Sequence, residues 1–535
     1  MIMADFDAKR RKFIGEALTA LGVMMLPFPR GMFAQADTGT GTTKKGKRQH
    51  YINVLDIGGW DTQYTLNYYD PSLVNSVSDV PAGWAAFNKI RYGSVGSSGV
   101  DKVVHPSGES LAPGMKFWTA NDFGKTAIVR GVSAVAGHGQ HQFIYGGGTS
   151  PYMASAGAII AAYQADTRGA SPLHYVKFSG GTRDWIHSGM MTGLAIPSLM
   201  PSHASWQTLT TPRSKTATGA ALTDATVLEN GLGKLGTDAL KKLNRDASKG
   251  VVNGYMNGYS ASVMLSNSNY ARSDSFLTIW LRHFNALKQE ASDQLASGYG
   301  VIGDFKTDIS GTGFTTEAGF ITQFTQLSGA TLTTATLTTA QTGLIETARV
   351  MSWSFALAEF LVVNDLSACV DFSASGWDSH TILASPGVRS TLAMAGVREL
   401  IRKLGATPNP DATGTLLDCT LITYGSEFER QARFGVDTGA WGTGHGTTFS
   451  MLLAGHRTNG GKLYGSCKLG EQATGIYKGA YGTPIALDAS TGELGSSTNA
   501  VTGFSFFPTI LDIMGVPIPL QQVTESKSVP ILIKS

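Results

Sequence analysis

Several short segments of the chain are apolar at nearly every position rather than at every second one: Tyr51–Ile57 (YINVLDI), Thr126–Val132 (TAIVRGV), Tyr175–Ser179, Ala368–Phe372, Cys419–Tyr424 and Phe449–Ala454. A strand with one face in water alternates apolar and polar residues, so a continuous apolar run belongs to a strand covered on both faces. Helical patterns lie between these runs, at Ala154–Gln164, Thr342–Val363 and Thr391–Leu404; in the last, Ala393, Val397, Leu400, Ile401 and Leu404 share one face. Pro508–Met514 predicts a further short helix, stopped by Gly515 and Pro517. Buried strands alternating with helices predict an α/β fold, a doubly wound and mainly parallel sheet flanked by helices.

The alternation is interrupted over residues 205–340, where Ser, Thr and Ala dominate, helical stretches occur near 267–297 and a Thr-rich tract spans 331–342. This stretch reads as a mostly helical insertion or cap, dividing the α/β domain into a first part (49–204) and a second part (341–535). Upstream, Arg10-Arg11-Lys12-Phe13-Ile14 opens a moderately apolar stretch that ends near Ala34-Gln35-Ala36, small residues of the kind a signal peptidase reads. The paired arginines predict a bacterial twin-arginine signal over residues 1–36, followed by a Thr/Gly/Lys-rich linker at 37–48. The apolar run is short and broken by Pro27 and Pro29, so it does not span a membrane, and no later stretch is long enough to do so. These features predict a periplasmic or secreted protein that meets the twin-arginine translocase during export and folds before it, an order that suits loading a metal in the cytoplasm.

Charge excludes one class of partner. Asp, Glu, Lys and Arg make up 15% of the chain, and 42 basic against 39 acidic residues leave a net charge of +3, without the broad basic field that nucleic acid requires. The weakly charged, Gly-rich composition (65 glycines) is common in extracellular proteins and is compatible with an envelope protein partner. The three cysteines, Cys369, Cys419 and Cys467, have no CxxC spacing, so neither a disulfide framework nor a cysteine zinc site is signalled.

In a sheet of this kind ligands bind at the carboxyl ends of the strands. The first predicted strand runs into Gly58-Gly59-Trp60-Asp61, the strand at 368 into Gly376-Trp377-Asp378-Ser379-His380, and the strand at 419 into Gly425-Ser426-Glu427-Phe428-Glu429-Arg430, before Gly442-Thr443-Gly444-His445-Gly446. Asp61, Asp378, His380, Glu427 and His445 thus form a mixed oxygen and nitrogen set of the type that binds zinc or manganese and, less well, calcium. Singly, each acid could equally be a turn or helix cap; it is the convergence of several loops that points to a divalent metal. His138 and His141, in the Gly-rich loop 137–148, either extend that set, bind an oxyanion, or are loop histidines without a ligand. Arg430 is a further substrate or metal-site candidate, and Trp60 and Trp377 either stack on a ligand or pack beneath the site. The cluster Arg183, Asp184 and His187 reads as a structural ion pair, and Gly146–Gly148 lack the lysine of a phosphate-binding loop.

The motifs Gly58 to Asp61, GWDSH at 376–380, SEFER at 426–430 and GTGHG at 442–446, behind a twin-arginine signal, resemble a secreted bacterial family, domain of unknown function 1501. The resemblance runs from about Tyr51 to Val516. It implies the alkaline phosphatase and sulfatase superfamily, with its doubly wound fold and a metal centre at the strand ends. Carried over, Asp61 matches that superfamily's first metal-binding Asp, Asp378 and His380 its acid and imidazole pair, Glu427 the third acid and His445 the last metal His. The activity implied is metal-dependent hydrolysis of small phosphate or related esters. The sequence departs from the family where GTDHG becomes GTGHG at Gly444, where Glu429 replaces Gly, and where Gln140 stands before His141 in place of Ser. No Ser or Thr nucleophile is recognisable, and the formylglycine motif of sulfatases is absent. A non-catalytic envelope protein of the same fold, with a structural or vestigial metal site, is the alternative.

Overall fold

The computed structural model describes residues 48–56, 58–60, 62, 65–67, 103–135, 137–146, 154–168, 175–179, 198–199, 276–296, 348, 351–374, 385–409, 413–430, 445–471, 480–495, 498–519 and 526–534. The expected signal lies outside these residues, as do the linker apart from Arg48 and the insertion apart from one helix. Twelve strands are described: β1 (His50–Leu55), β2 (Val103–Val104), β3 (Ser110–Leu111), β4 (Thr126–Ser133), β5 (Tyr175–Ser179), β6 (Ser198–Leu199), β7 (Cys369–Ser373), β8 (Thr420–Gly425), β9 (Thr448–Gly455), β10 (Lys462–Tyr464), β11 (Ser466–Glu471) and β12 (Ala480–Ile485). Eight of them form one sheet in the order β10-β4-β9-β8-β1-β7-β5-β6, while β11–β12 and β2–β3 are separate antiparallel pairs.

β1 is central, parallel to β7 on one side (Tyr51 opposite Cys369) and to β8 on the other (Tyr51 opposite Leu421). Within the eight-stranded sheet β9 runs against its neighbours β8 and β4, and the remaining pairings are parallel. The reversal brings the start of β9 to the edge where β1, β4 and β8 end, since Met451 of β9 pairs with Gly425 and Thr448 with Ser133.

Every residue of β1 is buried, and its side chains divide between two cores. Ile52 and Val54 join the cluster beneath helices 351–363 and Ser385–Ala406, whereas Tyr51 and Leu55 join the one beneath helices Ala156–Arg168 and Phe506–Ile513. Alternation within a fully buried strand thus serves two buried faces. Helix Ala156–Arg168 approaches β7 so closely that a Cβ on Gly157 would lie 2.7 Å from Cys369 Sγ, a contact that only glycine permits.

From the predicted insertion, helix Phe276–Ala296 docks on the helical layer. Arg398 Nη2 donates to Glu290 Oε2 at 3.0 Å, His283 Nε2 meets Glu359 Oε2 at 2.7 Å, and Trp280 Nε1 donates to Ser352 Oγ at 3.1 Å. No helix among the described residues is long and apolar enough to cross a membrane. The second half of the Gly/His-rich loop differs from expectation, because His141–Gly146 is a short helix.

Candidate functional site

Asp56, at the end of β1, ties three strand ends together. Its Oδ1 accepts hydrogen bonds from Ser373 Oγ (3.0 Å) and the Ala374 amide (2.8 Å) beyond β7, and its Oδ2 accepts from Tyr424 OH of β8 at 3.1 Å. Ser426 Oγ closes the frame by donating to the Asp56 carbonyl at 2.6 Å. The loops that follow β1 and β8 therefore leave the sheet from a fixed platform.

One turn beyond β8, Glu427 is fully buried and gathers four donors. Its Oε1 takes the Gly58 amide at 3.0 Å and His138 Nδ1 at 2.8 Å; its Oε2 takes the Gly139 amide at 2.7 Å and His141 Nδ1 at 3.0 Å. Burial pushes this carboxyl up, but hydrogen bonds from His141 and His138, the field of His141 and the Gly139 amide outweigh it and hold the group at about 2. Gly139, at φ +96°, occupies a conformation that suits glycine and lets the loop after β4 turn its amide toward the carboxylate. His445, just before β9, completes the group: its ring centroid lies 4.7 Å from that of His138 and 4.4 Å from that of Phe428. Loops after β1, β4 and β8 and before β9 thus meet at one edge, bringing two imidazoles onto one carboxylate and a third against His138.

Residues 322–474 match the family described as protein of unknown function (DUF1501). No curated protein matches the chain. The DUF1501 segment contains β7 to β11, and with them Glu427, Glu429, Arg430 and His445; Gly58, His138 and His141 reach the site from outside it. The carboxylate and its histidine donors therefore come from different parts of the chain.

Within the DUF1501 segment, the strand end also binds the loop after β1 through its backbone. The Trp60 amide donates to the Phe428 carbonyl at 2.8 Å and the Arg430 amide to the Trp60 carbonyl at 2.9 Å. Phe428 fills the space that a Cβ on Gly59 would need, and Gly59 sits at φ +83°, so two independent constraints require glycine there. The buried guanidinium of Arg430 donates to the carbonyls of Gly58 and Gly59 and lies 5.5 Å from the Phe428 ring centroid. These bonds clamp the two loops together. Trp60 packs beneath the site, 1% exposed, with Nε1 donating to Ser390 Oγ at 2.9 Å.

Glu429, which the sequence marked only as a departure from glycine, is a second buried carboxylate. It accepts from Thr448 Oγ1 (2.7 Å), Asn67 Nδ2 (3.0 Å) and Ser450 Oγ. Burial pushes its carboxyl up, because these neutral donors offset only part of the lost hydration. Neither Asp56 nor Glu429 was singled out by spacing; for Asp56 a polar residue breaking an apolar run before Gly58 was the only signal.

Of the residues expected from sequence, Glu427, His138, His141 and His445 come together, and Arg430 borders them. Asp61, Asp378 and His380 lie outside the described residues, as does Trp377. Among the described residues no three His, Cys, Asp or Glu side chains are grouped so as to hold a metal ion by themselves. The imidazole nitrogens of His138, His141 and His445 are nonetheless the donor type that borderline divalent cations take. Glu427, which accepts from two of those rings, fits as the carboxylate behind such a centre.

Proposed function

We propose that this edge is the active centre of a metal-dependent hydrolase of phosphate or related esters, of the alkaline phosphatase-like class, exported by the twin-arginine route to the periplasm or beyond. The observation that carries the reading is the convergence of His138 and His141 on the buried Glu427, with the His445 ring against His138, at the carboxyl edge of a mainly parallel sheet. The imidazoles, together with Asp61, Asp378 and His380 of the adjoining loops, would hold a divalent cation, zinc or manganese before calcium. Such an ion, when bound, polarises the ester oxygen and screens the charge of the transition state. No serine or threonine nucleophile is recognisable, which favours water in that role.

A second reading, a non-catalytic envelope protein of the same fold, draws on a specific observation as well: both Glu427 oxygens are fully engaged, as in a purely structural network. Metal content of the exported protein, purified without chelator and measured by elemental mass spectrometry beside a His138→Ala/His445→Ala variant, separates the two. The enzyme reading expects one or two equivalents in the wild type, their loss in the variant, and ester hydrolysis that is lost with them. Metal-free wild type with no esterase activity would leave the structural reading.

A further inference from the structure

Glu429 leads away from the histidine edge to a second feature. Asn67 uses both hydrogens of Nδ2, one on Glu429 Oε2 (3.0 Å) and one on Thr62 Oγ1 (2.9 Å), so its amide is fixed with Oδ1 turned from the carboxylate. Asn67 also lines a polar cavity of about 300 Å3, walled by Glu109 and Ser110 of the β2–β3 hairpin, Arg130 of β4, and Ser466 and Cys467 of β11. That volume is at the small end of ligand sites, which span about 300–1,000 Å3. Arg130 interrupts the apolar run of β4 where its pairing with β9 slips, between Val129 and Val132, and bulges of this kind re-aim side chains.

The buried guanidinium of Arg130 is held from one side. Its Nη1 donates to the carbonyls of Leu66 (3.3 Å) and Ser110 (2.9 Å), which spends both hydrogens of that nitrogen. Its Nη2 donates to Glu109, in the turn before β3, whose side chain is 43% exposed against 9% for Arg130. Nε shares an edge of the fork with Nη2 and has no acceptor among the described residues, and Asn67 Oδ1 likewise has no donor. An oxyanion bound side-on engages both Nε and Nη2; Glu109 engages one. Two buried residues on one cavity thus bring an unused donor of a cation and an unused neutral acceptor.

We propose that this cavity binds a small oxyanion that also carries a hydroxyl: the anion takes the Nε/Nη2 edge of Arg130 and displaces Glu109, and the hydroxyl donates to Asn67 Oδ1. Hydrogen phosphate and small α-hydroxycarboxylates have this chemistry, whereas sulfate and acetate lack the donor. Displacing Glu109 costs little, since an ion pair with a partly exposed partner is weak. None of the side chains so used belongs to the proposed metal centre, so the cavity can take its anion whether or not a metal is bound.

The test is isothermal titration calorimetry of the full chain at pH 7 after EDTA treatment, with phosphate set against sulfate and glycolate against acetate. Phosphate or glycolate should bind at least ~5-fold tighter than its donor-free counterpart, which leaves Asn67 Oδ1 unpaired. Which of the two binds tells phosphate from a hydroxy acid as the source. In Glu109→Gln, which removes the internal competitor from an exposed turn, affinity should rise ~2–5-fold, and in Arg130→Met binding should vanish. Should Arg130→Met fail to fold, the Glu109→Gln comparison decides by itself. Binding of none of the four anions to wild type or Glu109→Gln overturns the proposal. So does an affinity that Glu109→Gln leaves unchanged or lowers, because the anion then sits elsewhere or Glu109 is a structural partner. Equal binding of both members of each pair overturns the role of Asn67. A protein that binds the anion as expected but shows neither metal nor ester hydrolysis ends the hydrolase reading alone.

Discussion

Glu427 and Asp371 are both buried carboxylates on neighbouring parts of one sheet, and their surroundings drive them in opposite directions. At the edge, Glu427 meets two imidazoles and two amides and is held at about 2. In the interior of β7, burial pushes Asp371 up to about 6, against a hydrogen bond from Tyr175 and the field of Lys177. Glu429, two residues from Glu427, behaves like the interior group because hydroxyls and an amide surround it. Depth alone does not decide ionisation here, because all three are buried. What decides is whether the donors are strong enough to replace water around a full charge. The edge is built to keep a charge, and the interior to tolerate a proton.

The severest way to break this comparison is Glu427→Ala, which strands two imidazoles and two amides. Unfolding in denaturant at pH 7 should show a loss of ~3–5 kcal/mol, as for a buried charge network missing one partner; a loss under ~1 kcal/mol would mean that water replaces the carboxylate and that the site is open. Next comes pH. Glu427 is depressed, so its contribution is present above the unfolded value of 4.5 and is lost as pH falls toward about 2. Asp371 is raised, so its contribution is full below 3.8 and is lost as pH rises through about 6. Asp371→Asn should therefore remove a stability decrease on the order of 3 kcal/mol between about pH 4 and 6, leaving the acid limb governed by Glu427; an unaltered profile would place the titration elsewhere.

Gly59→Ala sharpens the contrast by pushing on Phe428, the residue between the two glutamates. Strain at positive φ and the displaced ring should cost ~1–3 kcal/mol, and His445, whose ring lies against Phe428, should change its NMR environment. The smallest expected effect is Thr448→Val, which removes one hydroxyl from Glu429. A loss of about 1 kcal/mol is expected, with the Glu429 carboxyl moving further up; a carboxyl that moved down would show that hydroxyl donors do not govern it.

The sheet was legible because runs such as Tyr51–Leu55 and Thr420–Tyr424 place apolar residues on both faces, at Tyr51 and Ile52 and at Leu421 and Ile422, as a strand covered on both sides does. The strand-end rule then led to Glu427 and His445, and glycine-flanked histidines to His138 and His141. Direction was not legible, since an apolar run such as 449–454 reads the same in either sense, and the antiparallel course of β9 had to be seen. β10 escaped because it has three residues and is partly exposed, and β11 and β12 because a glycine interrupts each. Asp56, Asp371 and Glu429 escaped for a different reason: a buried carboxylate is recognised by its donors, and those of Glu429 come from residues 67, 448 and 450.

The central place of β1 has a cost in time. Its partners are β7 and β8, and the His50 ring bonds to the Ser367 carbonyl across a separation of 317 residues. A ribosome adding ~5–20 residues per second needs roughly 15–60 s to cover that distance, while non-specific collapse takes microseconds. For that interval a strand destined to be fully buried has neither neighbour, and its unpaired edges invite aggregation. A nascent chain halted before residue 369 should therefore bind a general chaperone through residues 50–55, and one extended past residue 425 should release it.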